Sequence, residues 1–282
     1  MTPFGTRLAA AMDEHGPLCV GIDPHPGLLA AWGLGDDAAG LREFALRVVE
    51  ALGGRVAALK PQSALFERHG SAGVAALEEV LGACRGTGTL SVLDVKRGDI
   101  GSTMAGYAQA YLADGAPLAA DAVTLSPYLG LGSLAPAVEL AHQTGRGVFV
   151  LALTSNPEGA GVQHAVGPDG RSVAAGVVDG VGALNAAGPA AQGLGSVGLV
   201  VGATVGPAVR ELGIDLAASR APLLAPGFGA QGAGRAEVTE VFAGAERAVL
   251  ASTSRAVLAA GPDGLLRAVE DATAEVRAAL GR

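Results

Sequence analysis

Eight short apolar runs separated by helical patterns constrain the fold of this 282-residue chain more than any other feature. Each run is rich in Val, Leu and Ala and is continuously hydrophobic, as expected for parallel strands buried on both faces. A strand-then-helix order repeated along this length favours an α/β fold, the (β/α)8 TIM barrel, over a doubly wound sheet. The predicted strands are residues 18–23, 56–60, 90–96, 122–126, 148–155, 197–203, 222–226 and 248–252.

Helical patterns fill the gaps between these runs. Asp36 or Asp37 can cap a helix that runs to Leu52, and residues 3–15 predict an extra N-terminal helix that closes the bottom of the barrel. Residues 156–170 form the longest stretch without predicted structure. No long linker or charge block divides the chain, so residues 1–282 are expected to form a single domain. The remaining predicted helices open at Ser71, Ser102, Ser133 and Pro262 or span residues 171–187 and 235–243.

Composition and charge narrow the class of protein. Half of the residues are hydrophobic, yet no apolar run reaches the ~18–20 residues of a spanning helix, and the N-terminus lacks a signal-peptide pattern. Cys19 in a predicted strand and Cys84 in a predicted helix are typical of buried, reduced thiols in a cytoplasmic protein. The net charge of −8 offers no basic face to nucleic acid. We therefore expect a cytoplasmic protein without membrane or nucleic-acid partners.

The chain has lysine at only two positions, Lys60 and Lys96. The rest of its 19 Lys and Arg residues are arginine. A lysine ammonium is compact and can give up its proton, whereas a guanidinium is a bulky fork that cannot. The two lysines are therefore candidates for sites where arginine will not serve.

Both lysines fall at the ends of predicted strands. In a barrel of this type the carboxyl ends of the strands converge on the active site. Most of the other polar residues at strand ends are expected at the same end of the barrel, namely Asp23, Asp94, Ser126, Thr154, Ser155, Ser254 and Arg255.

The run from Asp94 to Asp99 is the strongest candidate for chemistry. Asp94 and Lys96 are two apart on a strand and point to the same face, with Cα atoms roughly 6.5–7 Å apart. We expect a lysine held between carboxylates in a largely enclosed setting, where it stays protonated and donates a proton rather than forming a Schiff base. Strand alternation directs Arg97 away from this site. The alternative is a salt-bridge network that only holds the barrel mouth, but so dense a buried charge cluster is costly.

A second pattern predicts a phosphate site. The Gly-rich turn at 227–232 follows the seventh strand, and Ser254-Arg255 opens the last helix after the eighth. Barrels often bind phosphate there through backbone N–H groups and a bidentate arginine. The alternative is a tight loop beside a surface arginine. The five histidines show no metal-ligand spacing, so no metal is expected.

With these residues in place, the chain resembles the orotidine-5′-phosphate decarboxylase family, in its bacterial branch with longer loops (type 2). The motif Asp94-x-Lys96-x-x-Asp99-Ile100-x-x-Thr103 looks like the family signature. The Asp-x-Lys-x-x-Asp core alone occurs in a wider superfamily, but the full set of motifs is specific and covers nearly the whole chain. The other motifs are Gly21-Ile22-Asp23-Pro24, Leu59-Lys60-Pro61-Gln62, Leu125-Ser126-Pro127-Tyr128, Thr154-Ser155-Asn156-Pro157, Val201-Gly202-Ala203-Thr204 and Pro226-Gly227-x-Gly229-x-Gln231-Gly232.

The resemblance implies a reaction. It is the decarboxylation of orotidine 5′-phosphate to UMP, the last step of de novo pyrimidine nucleotide synthesis, with no cofactor. Lys96 would protonate C6 of the pyrimidine as CO₂ leaves. Asp94 would lie against the substrate carboxylate, and Lys60 would complete the charge network.

The resemblance also implies binding roles and an assembly. Asp23 and Lys60 would contact the ribose, and Ser155 the pyrimidine. Asp99 and Thr103 would reach into the neighbouring subunit's site, so the protein would be a homodimer with shared active sites. The 5′-phosphate would be held by Gln231 and Arg255.

Two other functions are possible for a barrel of this kind. A sister enzyme with the same barrel is a metal-dependent decarboxylase or aldolase of sugar phosphates, in which an acidic residue at the end of the second strand helps to bind Mg²⁺. Here Lys60 occupies that position and would repel a metal. A non-catalytic sensor of phosphate ligands would not need Lys96 between carboxylates.

Overall fold

The computed structural model describes residues 1–190, 192–228 and 234–282. Within these ranges eight parallel strands close into a barrel in which each strand pairs with the next and the last pairs with the first. The predicted (β/α)8 architecture is therefore confirmed. The strands are β1 (Leu18–Ile22), β2 (Ala58–Pro61), β3 (Leu90–Arg97), β4 (Ala122–Leu125), β5 (Gly147–Leu153), β6 (Val197–Val201), β7 (Leu223–Pro226) and β8 (Val249–Thr253).

Helices surround the barrel in the expected order. The helices are α1 (Phe4–His15), α2 (Pro26–Ala31), α3 (Ala38–Leu52), α4 (Ser63–Glu67), α5 (Gly70–Cys84), α6 (Gly101–Leu112), α7 (Ala135–Gln143), α8 (Ala160–Gln163), α9 (Val173–Ala187), α10 (Ala208–Glu211), α11 (Arg235–Phe242), α12 (Arg255–Leu258) and α13 (Gly261–Leu280), with 3-10 turns at Leu131–Leu134, Pro157–Gly159 and Glu246–Ala248.

Several predicted helix starts were wrong by a short distance. Asp37 caps α3 as expected, because its carboxylate accepts the Gly40 N–H at 2.8 Å. The other starts shift because glycine or a 3-10 turn, rather than a serine cap, begins the helix. Thus α5 begins before Ser71, α6 before Ser102, and Ser133 lies in a 3-10 turn ahead of α7.

Residues 156–170 were expected to lack structure, and this expectation was wrong. A 3-10 turn and the short helix α8 occupy part of the segment, and an isolated bridge joins Val166 to Ser172. The side chain of Gln163 connects this segment to the barrel. Its Oε1 accepts the Thr154 N–H at 2.9 Å, and its Nε2 donates to Thr154 Oγ1 at 2.7 Å. These bonds tie the segment back to the end of β5.

The N-terminal helix α1 closes the bottom of the barrel, as predicted. Its apolar face is buried among the residues that point into the barrel, and Phe4 meets Phe149 of β5 edge to face at 5.8 Å between ring centroids. The ring of Phe4 lies so close to Gly147 that a Cβ there would come within 2.2 Å of it. On the outside, Arg7 Nη1 donates to Asp121 Oδ1 at 2.6 Å.

Truncating the Phe4 side chain should therefore weaken the whole barrel. Phe4 is fully buried, and replacing a buried phenylalanine by alanine costs about 3–5 kcal/mol of unfolding free energy. Urea unfolding of Phe4→Ala should show this loss with the slope of the transition unchanged. Leu266→Ala, at an exposed position of α13, is the matched control and should stay close to the parent protein.

Both cysteines are buried, as the sequence predicts. Cys19 and Cys84 are both buried free thiols, and burial raises the pKa of each to about 12. Across the described ranges, none of the helices combines the length and the apolar character needed to cross a membrane.

Candidate active site

A cavity of about 890 Å³ opens at the carboxyl ends of the strands. This is the end of the barrel where the sequence places the polar residues, and where barrel enzymes carry out their chemistry. Most of the predicted site residues line this one cavity: Asp23, Lys60, Asp94, Lys96, Ser155 and Arg255.

Three charged side chains form a continuous array in the cavity. Lys60 Nζ lies 3.1 Å from Asp94 Oδ2, and Lys96 Nζ lies 2.6 Å from Asp94 Oδ1. The Lys60 and Asp94 side chains are only 9% and 8% exposed. The array is therefore a buried carboxylate that bridges two ammonium groups.

This arrangement corrects two details of the expected site. Lys96 was expected between the carboxylates of Asp94 and Asp99, but its ammonium pairs with Asp94 alone among the described residues. It was also expected to be largely enclosed, yet 47% of its side chain is exposed to the open cavity. The enclosed lysine is Lys60, whose side chain is only 9% exposed.

The electrostatics keep Asp94 and Lys60 ionised. Burial by itself would raise the pKa of Asp94, but the charges of Lys60 and Lys96 outweigh burial and lower the pKa to about 2. Burial would lower the pKa of Lys60, but the negative charges of Asp94 and Asp23 outweigh it and raise the pKa instead. At neutral pH the cavity thus holds a fixed carboxylate with a buried ammonium beside it.

Two further side chains hold Asp94 in place. Gln62 Nε2 donates to Asp94 Oδ2 at 3.2 Å, and Thr124 Oγ1 donates to Asp94 Oδ1 at 2.8 Å. Gln62 belongs to a motif quoted above, although no role was assigned to it. Thr124 was missed altogether, and the one available signal was a hydroxyl inside an otherwise apolar strand.

Arg97 points away from the cavity, as expected. Its guanidinium donates to Glu67 Oε1 at 2.6 Å and lies 5.8 Å from the ring centroid of Tyr107. It does not line the 890 Å³ cavity, but together with Lys96 it lines a smaller pocket that adjoins this cavity. The two neighbours in sequence therefore differ in their ion-pair partners, which are Asp94 for Lys96 and Glu67 for Arg97.

The part of the cavity next to Lys60 carries polar atoms with unused hydrogen-bonding capacity. Asp23 Oδ1 and Ser254 Oγ are buried but have no hydrogen-bond partner among the described residues. Their side chains meet above Gly21, where a Cβ would come within 2.8 Å of Ser254 Cβ. Buried polar atoms without partners are unusual in native proteins, so these two atoms are available to a polar ligand.

The predicted phosphate site is only partly described. Arg255 begins α12 and lines the cavity beside Gly227 and Phe228. Gln231 lies in the segment 229–233, outside the described residues. Ser155 also lines the cavity, at an exposed position just after β5.

Asp99 and Thr103 do not line this cavity. Asp99 lies just beyond β3 and is half-buried, and its Oδ1 accepts the N–H of Ile100 at 2.8 Å. Thr103 is exposed in the first turn of α6. Two exposed large apolar side chains follow the neighbouring strands β3 and β4, namely Ile100 at 62% and Tyr128 at 79% exposed.

The donor types in the site do not form a metal cage. In the part of the chain that the structure describes, no group of three or more His, Cys, Asp or Glu side chains is placed to hold a metal ion. The position next to Asp94 that could have supplied a further acidic ligand is occupied by the Lys60 ammonium.

Comparison with known proteins agrees with this geometry. The sequence model of the "Orotidine 5'-phosphate decarboxylase / HUMPS family" matches residues 16–267. The orotidine 5′-phosphate decarboxylase of Salinispora arenicola is 62% identical over 282 residues, covering 99% of both chains. That of Streptomyces coelicolor is 57% identical, also over 99% of both.

Solved structures give the same result. A crystal structure from Streptomyces avermitilis is 56% identical, with a TM-score of 0.94, and covers 100% of this chain and 97% of that one. The OMP decarboxylase of Leishmania donovani is 31% identical, with a TM-score of 0.77 and full coverage of both chains. By sequence and by fold, this chain belongs to the orotidine 5′-phosphate decarboxylase / HUMPS family.

Proposed function

We propose that this protein decarboxylates orotidine 5′-phosphate to UMP without a cofactor, the last step of de novo pyrimidine nucleotide synthesis. The observation that carries the proposal is the Lys60–Asp94–Lys96 array at the mouth of the barrel, in which Lys60 and Asp94 are buried. Relatives that carry this activity in their names match the chain over nearly its whole length, which supports the assignment.

The chemistry requires charge rather than a cofactor. When the bond between C6 and the carboxylate breaks, its electron pair stays on C6 and CO₂ leaves. Lys96 then transfers a proton from Nζ to C6, which gives UMP, and regains a proton from water. Its exposure to the open cavity, beside an anchored carboxylate, suits a group that reaches the substrate and is recharged by solvent.

Asp94 supplies the second part of the mechanism. Its lowered pKa keeps it anionic, so it would repel the substrate carboxylate until CO₂ has left. The two lysines offset that repulsion in the ground state and stabilise the negative charge that develops at C6. Because hydrogen bonds and ion pairs hold these charges in place, little reorganisation is needed during the reaction.

Other polar groups in the cavity would bind the ribose, the pyrimidine and the phosphate of a nucleotide. Asp23 Oδ1 can accept a hydrogen bond from a ribose hydroxyl, and the nearby Lys60 can donate one. Ser155 is assigned to the pyrimidine. Arg255, together with Gln231, is assigned to the 5′-phosphate, since a guanidinium fork matches phosphate oxygens.

Arg255→Ala should therefore weaken substrate binding far more than it slows the chemical step. Loss of a charge-assisted bond to phosphate costs about 1.5–3 kcal/mol, so KM should rise by about one to two orders of magnitude. Steady-state kinetics would measure KM and kcat separately. An unchanged KM would remove Arg255 from the phosphate site.

Asp99 and Thr103 are assigned to the neighbouring subunit's site in a homodimer. Their place outside the cavity of their own chain supports this assignment. Sedimentation of the protein at micromolar concentration should give the mass of two chains.

A direct assay tests the proposed reaction. Mixing the protein with orotidine 5′-phosphate in the presence of EDTA should change the pyrimidine absorbance as UMP forms. No change with or without added Mg²⁺ would refute the proposal. Activity that EDTA abolishes would instead favour a metal-dependent enzyme of the same family.

A further inference from the structure

The β3–β4 pair is irregular at the point where the charge array begins. Leu93 pairs with Val123, and the next recorded pair is Arg97 with Leu125, so β3 carries extra residues opposite β4. Such a bulge removes regular ladder hydrogen bonds and re-aims the side chains in it. Asp94 and Lys96 both lie within this bulge.

The hydroxyl of Thr124 replaces the hydrogen bonds that the bulge removes. Val95 N–H and Lys96 N–H both donate to Thr124 Oγ1, at 3.0 and 2.9 Å. The same hydroxyl donates to Asp94 Oδ1 at 2.8 Å. A threonine hydroxyl has one proton to donate and two lone pairs that accept hydrogen bonds. Thr124 uses its proton and both lone pairs in these three bonds, and the residue is only 1% exposed.

The two backbone bonds bear directly on the geometry of Lys96. Lys96 has φ of +45°, in the left-handed region that a residue with a Cβ rarely adopts. A conformation of this kind persists only where the surroundings hold it. The bond from its own N–H to Thr124 is such a restraint, and it fixes the direction in which the side chain leaves the strand.

The hydrogen bond from Thr124 to Asp94 restrains the carboxylate that pairs with Lys96. Thr124 Oγ1 and Lys96 Nζ both bind Asp94 Oδ1, while Lys60 binds Oδ2. Thr124 therefore fixes the plane of the carboxylate as well as the backbone of the lysine. A single hydroxyl thus sets the relative position of the two charged groups.

We infer that Thr124 is a positioning residue for the proton transfer, acting through Asp94 and the backbone of Lys96. The inference rests on the decarboxylation proposed above. Misplacing a reacting group by about 1 Å can reduce the rate of a chemical step roughly 100-fold. Loss of the hydroxyl should therefore lower kcat while leaving nucleotide affinity nearly intact.

Four variants test this role. Thr124→Val keeps the shape of the side chain but removes the hydroxyl, and Thr124→Ala is a second hydroxyl-free variant in case the first does not fold. Thr124→Ser restores the hydroxyl. Thr89→Val is the matched control, because Thr89 is also buried, at the opposite end of the barrel. Its hydroxyl also accepts a backbone N–H, from Gly54 at 2.9 Å, and donates to Val56 O at 2.8 Å.

The expected result is a loss of roughly 100-fold in kcat for the hydroxyl-free variants at position 124. The Kd for UMP, measured by calorimetry, should stay within about threefold of the parent value. Thr124→Ser should recover most of the activity, and Thr89→Val should lose stability without losing kcat. The inference is overturned if Thr124→Val keeps the parent kcat, if serine fails to rescue, or if KM and Kd rise while kcat is unchanged.

A second measurement does not depend on the reaction. Amide hydrogen exchange in the peptide that contains Val95 and Lys96 should accelerate in Thr124→Val and not in Thr124→Ser, because two N–H groups lose their acceptor. Unchanged exchange would overturn the structural basis of the inference. If the parent protein does not decarboxylate orotidine 5′-phosphate, the proposed function fails, and this measurement still reports on Thr124.

Discussion

Replacing Lys96 by alanine should abolish turnover while leaving the fold intact. The substitution removes the proton donor and also the cation nearest to the carbanion, so kcat should fall by at least roughly 10⁴-fold. Stability should change little, because nearly half of the side chain is exposed and Asp94 keeps its bond to the buried Lys60. UMP formation in a single-turnover assay and thermal unfolding would measure the two effects separately.

Two variants separate the proton donor from the charge. Lys96→Arg restores a cation but not a group that gives up its proton, so it should remain close to inactive. Arg42→Ala removes one positive charge from a surface ion pair with Glu79 on the helical exterior and should keep the parent kcat. Substantial turnover by Lys96→Ala would contradict the assigned role of this residue.

The strands, and the end of the barrel that carries the site, could be predicted because both follow from patterns of neighbouring residues in the sequence. Runs such as 197–203 are apolar throughout, and only a strand buried on both faces needs that pattern. The polar residues that end these runs then fall together by topology alone. That is why Asp23, Lys60 and Arg255, which are far apart in sequence, could be placed in one cavity before the structure was known.

The details that could not be predicted depend on tertiary contacts. The positive φ of Lys96 and its exposure arise from a bulge that is stabilised by a side chain of the next strand, Thr124. A pattern of apolar residues contains no information about such a register shift. The order in residues 156–170 likewise depends on tertiary contacts, among them the bonds of Gln163 to the end of β5 and the bridge between Val166 and Ser172.

Mixing two inactive variants should restore activity if the active sites are shared between subunits. Lys96→Ala removes the proton donor, and Asp99→Ala removes a group assigned to the partner's site, so each variant alone should be nearly inactive. In a mixed dimer, the site that keeps Lys96 receives Asp99 from the other chain and is therefore complete. The second site of that dimer lacks both groups.

Random exchange of subunits sets the size of the effect. Half of the dimers in an equimolar mixture are mixed, and one of their two sites is intact, so about a quarter of the parent activity should return. Activity should rise on the timescale of subunit exchange, and it should not return when Lys96→Ala is mixed with Asp94→Ala, because both of those groups belong to the same chain's site. If Asp99 instead served the cavity of its own chain, no mixture of the two variants would regain activity, since every site would lack either Asp99 or Lys96.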